Sequence, residues 1–250
     1  MATTETIWTG SSDDKLYVSS GQYTSTIRDS ESVSAIDSFP DGVSWDGTNI
    51  PWTGGAADKL YLQSGKVTST LKTSQSVNGV DTIAFGMSWD RTNSLWCGWQ
   101  ADKLYYQSGQ FTSTLKTSQA VGSVDTNPNE TGTDGTDTWW PGSQADKLYR
   151  TSGIFSSTLK DSESIGAIDS VPYGITWDGT NSPWCGDSDN KLYLQSGKFT
   201  STLKTSQDVN LVEAAPGGIE TDDLDSRVPV ASGPTVAVLW YHHNFHNLRH

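Results

Sequence analysis

The sequence predicts an all-β chain folded as a five-bladed β-propeller, and three observations carry that prediction. The first is a fixed period. Asp-Lys-Leu-Tyr at Asp14–Tyr17 returns along the chain, as Asn-Lys-Leu-Tyr in the last copy, its lysine at Lys15, Lys59, Lys103, Lys147 and Lys191, every interval being 44 residues. A period of this length marks units that cannot bury a core alone and must stack against their neighbours. The second is that each period divides into four short segments of β character, the pattern of a propeller blade. The third is that the ends complement one another. The first copy enters at a second strand, Ile7–Gly10, while Gly218–Asp223 keeps the register of a first strand with no second strand after it. A ring closed by the C-terminal strand leaves no long unpaired sheet edge.

The elements can be justified in order on the copy that runs from Gly42 to Phe85. Gly42 to Trp45 is the first strand and ends at Asp46-Gly47, a dipeptide suited to the positive φ of a hairpin turn. Pro51 to Thr53 returns and is closed by Gly54-Gly55. Lys59 to Gln63 alternates, with Leu60 and Leu62 on one face and Tyr61 on the other. Ser64-Gly65 is the next turn, Val67 to Leu71 the fourth strand, and residues 73 to 85 a longer return. No segment reads as a long amphipathic helix. The repeats fall near residues 7–41, 42–85, 86–129, 130–173 and 174–217, with a closing strand at 218–223. Residues 1–223 thus form the propeller and 224–250 a C-terminal tail. Blade four departs from the pattern, with Gly132-Thr133-Asp134-Gly135-Thr136-Asp137 before Trp139-Trp140; its strand is expected to persist.

Some positions are the same in all five copies: Trp8, Trp52, Trp96, Trp140 and Trp184; Tyr17, Tyr61, Tyr105, Tyr149 and Tyr193; Gly21, Gly65, Gly109, Gly153 and Gly197. The glycines suit turns with positive φ. The tryptophans supply either packing between blades or a stacking platform for a sugar ring. Cys97 and Cys185 share one repeat position two copies apart, beyond disulfide reach, and read as free thiols in a small buried slot.

Composition excludes several partners. A net charge of −13 and a pI near 4.5 argue against nucleic acid and against anionic membrane surfaces. No apolar run approaches the ~20 residues of a membrane-spanning helix. No secretory signal is visible at the start, so synthesis in a cytoplasm is expected.

Three acidic positions recur. Asp46, Asp90, Asp134, Asp178 and Asp222 form either a ring of carboxylates able to hold a cation or a set of hairpin turns. Asp14, Asp58, Asp102 and Asp146, with Asn190, read as solvated turns. Asp37, Asp81, Asp125, Asp169 and Glu213 lie on the return loop, where backbone hydrogen bonds are available. Because the blades repeat the same residues, and all four histidines (His242, His243, His246 and His250) lie in the tail, no catalytic set, metal centre or cofactor is expected and the chain reads as no enzyme.

The run Gly-Ile-Thr-Trp-Asp-Gly-Thr-Asn at 174–181, followed by Pro183-Trp184, resembles the blade consensus of β-propellers of the NHL and lactonase-like type. The five-copy plan resembles five-bladed tachylectin-type lectins. Regular Asp-Lys-Leu-Tyr and Phe-Thr-Ser-Thr-Leu-Lys blades are similar to propeller proteins of bacteriophages. That resemblance implies a virion- or tail-associated protein in assembly or host-surface binding, found in the virion. The alternatives are a soluble multivalent lectin, cytoplasmic or released by lysis, and a metal-dependent lactonase-like hydrolase. Glycans, where bound, are expected at Asp46, Asn49, Asp90, Asn93, Asp178 and Asn181, where a carboxylate, an amide and an aromatic lie close in sequence. Other virion proteins, or further copies of the chain, are expected at the tail through Val236, Val238, Leu239, Trp240 and Tyr241, an uncharged segment of high β-propensity suited to strand addition.

Overall fold

The computed structural model of the chain describes residues 5–21, 26–67, 70–111, 114–154, 158–198 and 202–222. The tail segment Val236 to Tyr241 and the histidines lie outside them.

Among the described residues twenty strands, numbered in chain order, form five sheets of four. Blade one holds β1 (Thr6–Gly10), β2 (Lys15–Ser19) and β3 (Ile27–Ser32). Blade two holds β4 (Pro40–Val43), β5 (Asn49–Gly54), β6 (Lys59–Ser64) and β7 (Leu71–Ser76). Blade three holds β8 (Ala84–Trp89), β9 (Asn93–Gly98), β10 (Lys103–Ser108) and β11 (Leu115–Ala120). Blade four holds β12 (Gly132–Thr133), β13 (Asp137–Gly142), β14 (Lys147–Ser152) and β15 (Leu159–Ser164). Blade five holds β16 (Pro172–Ile175), β17 (Asn181–Gly186), β18 (Lys191–Ser196) and β19 (Leu203–Asp208). The last strand, β20 (Pro216–Thr221), completes blade one in the order β20-β1-β2-β3. All neighbours pair antiparallel, β20 on β1 through Thr6–Thr221, Ile7–Glu220 and Trp8–Ile219. This ring closure, expected from the complementary ends, begins two residues earlier than the register of Gly218 suggested, because a bulge between Trp8 and Gly10 shifts the pairing.

One strand differs from the sequence reading. The outer strand is β7, Leu71–Ser76, so it begins where the expected strand Val67 to Leu71 ends; Val67 lies in a bend, and residues 68 and 69 lie outside the described residues. The alternation of Val67 and Leu71 was misleading because the outermost strand is solvated and polar, as in Leu71-Lys72-Thr73-Ser74-Gln75-Ser76, and needs no apolar face. Blade four does keep its inner strand, shortened to two residues.

The tryptophan and tyrosine positions explain how blades join. Each tryptophan sits directly opposite a tyrosine on the next strand, Trp8 on Tyr17 for example. The five pairs stack with ring centroids 4.2, 4.3, 4.2, 4.3 and 4.0 Å apart. The stacked face then packs on the preceding blade: Trp52 and Tyr61 lie against Ile7, Leu16, Val18 and Val33, and Trp184 and Tyr193 against Trp139, Leu148 and Ile165. Packing between blades is therefore what these tryptophans do; all are buried.

The tyrosine hydroxyls add a latch. Those of Tyr61, Tyr105, Tyr149 and Tyr193 donate to Asp37, Asp81, Asp125 and Asp169 at 2.8, 3.0, 3.0 and 3.1 Å. The same carboxylates accept backbone N–H groups, such as Ala57 on Asp37 and Ala101 on Asp81. The return-loop acids thus tie each blade to the next. Asp14, Asp58, Asp102 and Asp146 have left-handed backbones, with φ between 48° and 56°, and Asn190 shares that turn with φ 53°, a conformation that Asp and Asn tolerate.

Candidate functional site

The inner strands meet around the axis with almost no space between them. Gly42, Gly86, Gly174 and Gly218 occupy one position of the repeat, and a Cβ on any of them would overlap neighbouring backbone. The fifth residue of that position is Glu130. It is 1% exposed, one carboxyl oxygen accepts the Met87 N–H, and Oε2 lies against Gly218 without a hydrogen-bond partner among the described residues. One turn of the ladder further, Glu220 accepts from Ser44 Oγ at 3.0 Å and from Thr176 Oγ1 at 2.6 Å. Glu130 thus fills the axis.

This floor supports a cup of about 450 Å³ at the end of the ring where the inner strands begin. Its wall comes entirely from three positions of the repeat. Phe39, Ile83, Asn127 and Val171 stand just before the inner strands; Asp41, Phe85, Asn129 and Tyr173 stand on or beside their first residues; Ser11, Gly55, Trp99 and Ser143 follow the second strands. These three positions differ from blade to blade, whereas the tryptophan and tyrosine that pack blade on blade repeat unchanged.

The lip is pinned by the backbone. Phe39 and Asn127 have φ of 64° and 63°, and their N–H groups donate to Asp14 and Asp102 at 3.1 and 3.0 Å. The equivalent Ile83 and Val171 are β-branched and keep ordinary φ, as sterics require. Phe85 meets Trp99 at 6.4 Å and Tyr173 at 6.2 Å between centroids, both tilted, so three aromatic rings line one side. Asn129 donates its amide to Pro172 O at 2.8 Å and bridges two blades. Asp41 is 6% exposed, and no described residue hydrogen-bonds its carboxyl oxygens. Burial, reinforced by the charge of Asp37, holds its pKa well above the ordinary carboxylate range. Burial, followed by Asp41, Asp187 and Cys185, pushes the Tyr173 hydroxyl up to about 12.

The residues expected to bind glycans sit at the other end of the inner strands, in the hairpins. Asp46 accepts the Thr48 and Asn49 N–H groups at 2.7 and 2.6 Å and the Asn49 and Gln110 amides at 2.9 and 2.5 Å. Burial alone would raise its carboxyl; the bonds from Asn49, Gln110 and Thr48 hold it below the ordinary range. Asp90 accepts from Thr92, Asn93 and the Tyr106 hydroxyl, and Asp178 from Thr180 and Asn181. Asn49, Asn93 and Asn181 each accept an outer-strand lysine, Lys72, Lys116 and Lys204, at 3.1, 3.0 and 3.0 Å. Asp46, Asp90, Asp134 and Asp178 each close their own turn and Asp222 accepts the Glu5 N–H, and among the described residues no three His, Cys, Asp or Glu side chains form a metal group.

Cys97 and Cys185 are buried free thiols. Cys185 accepts the Gly174 N–H at 3.2 Å and donates to Gly217 O at 2.6 Å. Thr9 makes the same link in blade one, from the Gly218 N–H to Asp41 O. The slot therefore holds a hydrogen-bond bridge between inner strands.

Glu130 gives a testable pH dependence. Its folded pKa is raised well above 4.5, by burial first and also by Glu220 and Asp41, against the opposing Met87 and Thr131 N–H groups. The folded chain thus binds this proton more tightly than the unfolded chain. Its contribution to stability is full below about pH 4.5 and falls as pH rises through the folded value. Glu130→Gln keeps the shape without a charge to bury. Its melting temperature is expected to match the parent near pH 4.5 and to exceed it progressively towards pH 8. Calorimetric curves that stay parallel across this range would contradict the assignment.

No family model and no curated protein matches the chain. Solved structures do. A chain of a nidogen/laminin complex aligns over 86% of this chain and 83% of its own, at 13% identity and a TM-score of 0.50. A streptogramin B lyase aligns over 86% and 68%, at 14% identity and 0.51. Glutaminyl cyclase of Myxococcus xanthus aligns over 77% and 89%, at 10% identity and 0.50. At such identities the likeness shows the fold alone. It supports the propeller part of the sequence resemblance; nothing in it bears out a phage relationship or the lectin plan. It also corrects the expectation that the chain is no enzyme. A lyase and a cyclase share this architecture, and the blades here are not alike where they face the cup. These likenesses establish for this chain the β-propeller fold, a scaffold that carries catalysis as well as binding.

Proposed function

We infer that this propeller binds one small molecule per chain in the cup at the mouth of the ring. The observation that carries the reading is the contrast between positions. The stacked tryptophan and tyrosine that pack blade on blade repeat without change, because every interface has the same task. All cup residues fall at positions that differ between blades, as one asymmetric ligand on the axis requires. The volume lies within the ~300–1,000 Å³ of small-molecule sites, and the wall mixes aromatic faces with a few polar groups. Trp99, 39% exposed at the rim, offers a probe. In a fragment panel followed by fluorescence and titration calorimetry, ligands are expected to bind with a stoichiometry of one. Trp99→Ala and Phe85→Ala are expected to weaken them about tenfold or more. Five equal sites, or affinities indifferent to both substitutions, would overturn the reading.

The assembly reading, in which Val236 to Tyr241 join the chain to virion proteins or to further copies, and glycan binding at the hairpins are separate proposals. Both are supported by sequence pattern alone.

A further inference from the structure

The cup has an unusual charge balance. Its wall contains no lysine, arginine or histidine, and Asp41 is its sole acid. A carboxyl group removed from water is normally paired with a cation or hydrogen-bonded. Among the described residues Asp41 has neither, although it lies against the cup and is 6% exposed. Phe85, Trp99 and Tyr173 present rings to the same space, with Phe85 in contact with both of the others. Aromatic faces attract cations electrostatically, most strongly where water is excluded, and rings gathered around a carboxylate are the arrangement that recognises ammonium groups.

We propose that the cup takes an organic cation, an amine or quaternary ammonium head group, with Asp41 as its counter-ion and Phe85, Trp99 and Tyr173 as its aromatic wall. The proposal rests on the reading of the cup as the ligand site. A neutral ligand leaves Asp41 protonated and unpaired; a cation gives the carboxylate the partner that the fold withholds. Asp37, Tyr173, Glu130 and Cys97 are the titratable groups that sense Asp41. None of them is a cation, so a bound ammonium meets no like charge there.

The test compares choline and tetramethylammonium with 3,3-dimethylbutan-1-ol, the uncharged isostere of choline, by calorimetry and Trp99 fluorescence on the full chain. The cations are expected to bind at least tenfold more tightly than the alcohol. Asp41→Asn, nearly isosteric, is expected to erase that preference while circular dichroism stays unchanged. Trp99→Leu, at the exposed rim, is expected to weaken the cations more than the alcohol and serves should Asp41→Asn fail to fold. Equal binding of cation and isostere in the cup overturns the cation assignment and leaves the cup as a ligand site. No binding of either cation also overturns it, and the fragment panel then decides the cup separately. A preference that survives in both variants overturns the roles given to Asp41 and Trp99.

Discussion

A chain that ends at Ala214, just before β20, is expected to lose cooperative unfolding and to aggregate. β20 does more than add one strand. It pairs with β1 through Ile7, Trp8 and Thr6, and Ile7 and Trp8 are fully buried. Gly218 donates to Thr9 Oγ1 at 2.6 Å, while Glu220 accepts from Ser44 of blade two and Thr176 of blade five. Asp222 accepts the Glu5 N–H at 2.8 Å and pairs with Lys66 at 2.7 Å. Removing the strand therefore exposes a sheet edge and two large apolar side chains, and it also unlinks three blades at the axis. In a closed ring each blade depends on both neighbours, so one gap is felt around the whole circle. A chain ending at Asp223 retains all these contacts and is expected to melt as one unit close to the parent temperature. Size-exclusion chromatography and thermal circular dichroism of the two products check this. A soluble, cooperatively melting product ending at Ala214 would show that the ring does not need its last strand.

Gly86→Ala is expected to cost about 4 kcal/mol or more, close to the largest effect seen for single substitutions. Gly86 has φ +43°, and an added Cβ would overlap Glu130 Cα and lie 2.8 Å from Asn129 O. Both obstacles are backbone, so no side-chain rotation relieves them. The strained backbone adds about 1–3 kcal/mol and the overpacking about 1–3 kcal/mol. Gly79→Ala is the control, since nothing lies within 4 Å of its added Cβ. Both substitutions stiffen the unfolded chain alike, so the difference between them isolates the axis. Urea denaturation is expected to place Gly79→Ala within about 0.5 kcal/mol of the parent. Similar midpoints for the two variants would mean that the inner strands can spread, and that the floor of the cup is softer than its geometry suggests.

The sequence alone determined the architecture. A 44-residue period, the aromatic pair Trp8 and Tyr17 with its four copies, the turn glycines and the complementary ends all report local or nearest-neighbour requirements. Such requirements recur in every blade and so appear as columns. Glu130 went unread, although one signal could have found it: it is the one acid in a position otherwise filled by Gly42, Gly86, Gly174 and Gly218. What tertiary structure alone decided was the site. Asp46, Asn49 and their equivalents resemble ligand residues in sequence, yet their polar atoms close hairpins and hold outer-strand lysines. Asp41, Phe85, Trp99 and Tyr173 repeat nothing and are far apart in the chain. They meet because five inner strands converge on one axis, where side chains from different blades share a single space. That convergence is a property of the closed ring and no single repeat contains it. The physical reason is that packing between blades selects for sameness, which a sequence displays, while an asymmetric space on the axis is filled by difference, which acquires meaning only once the strands are in place.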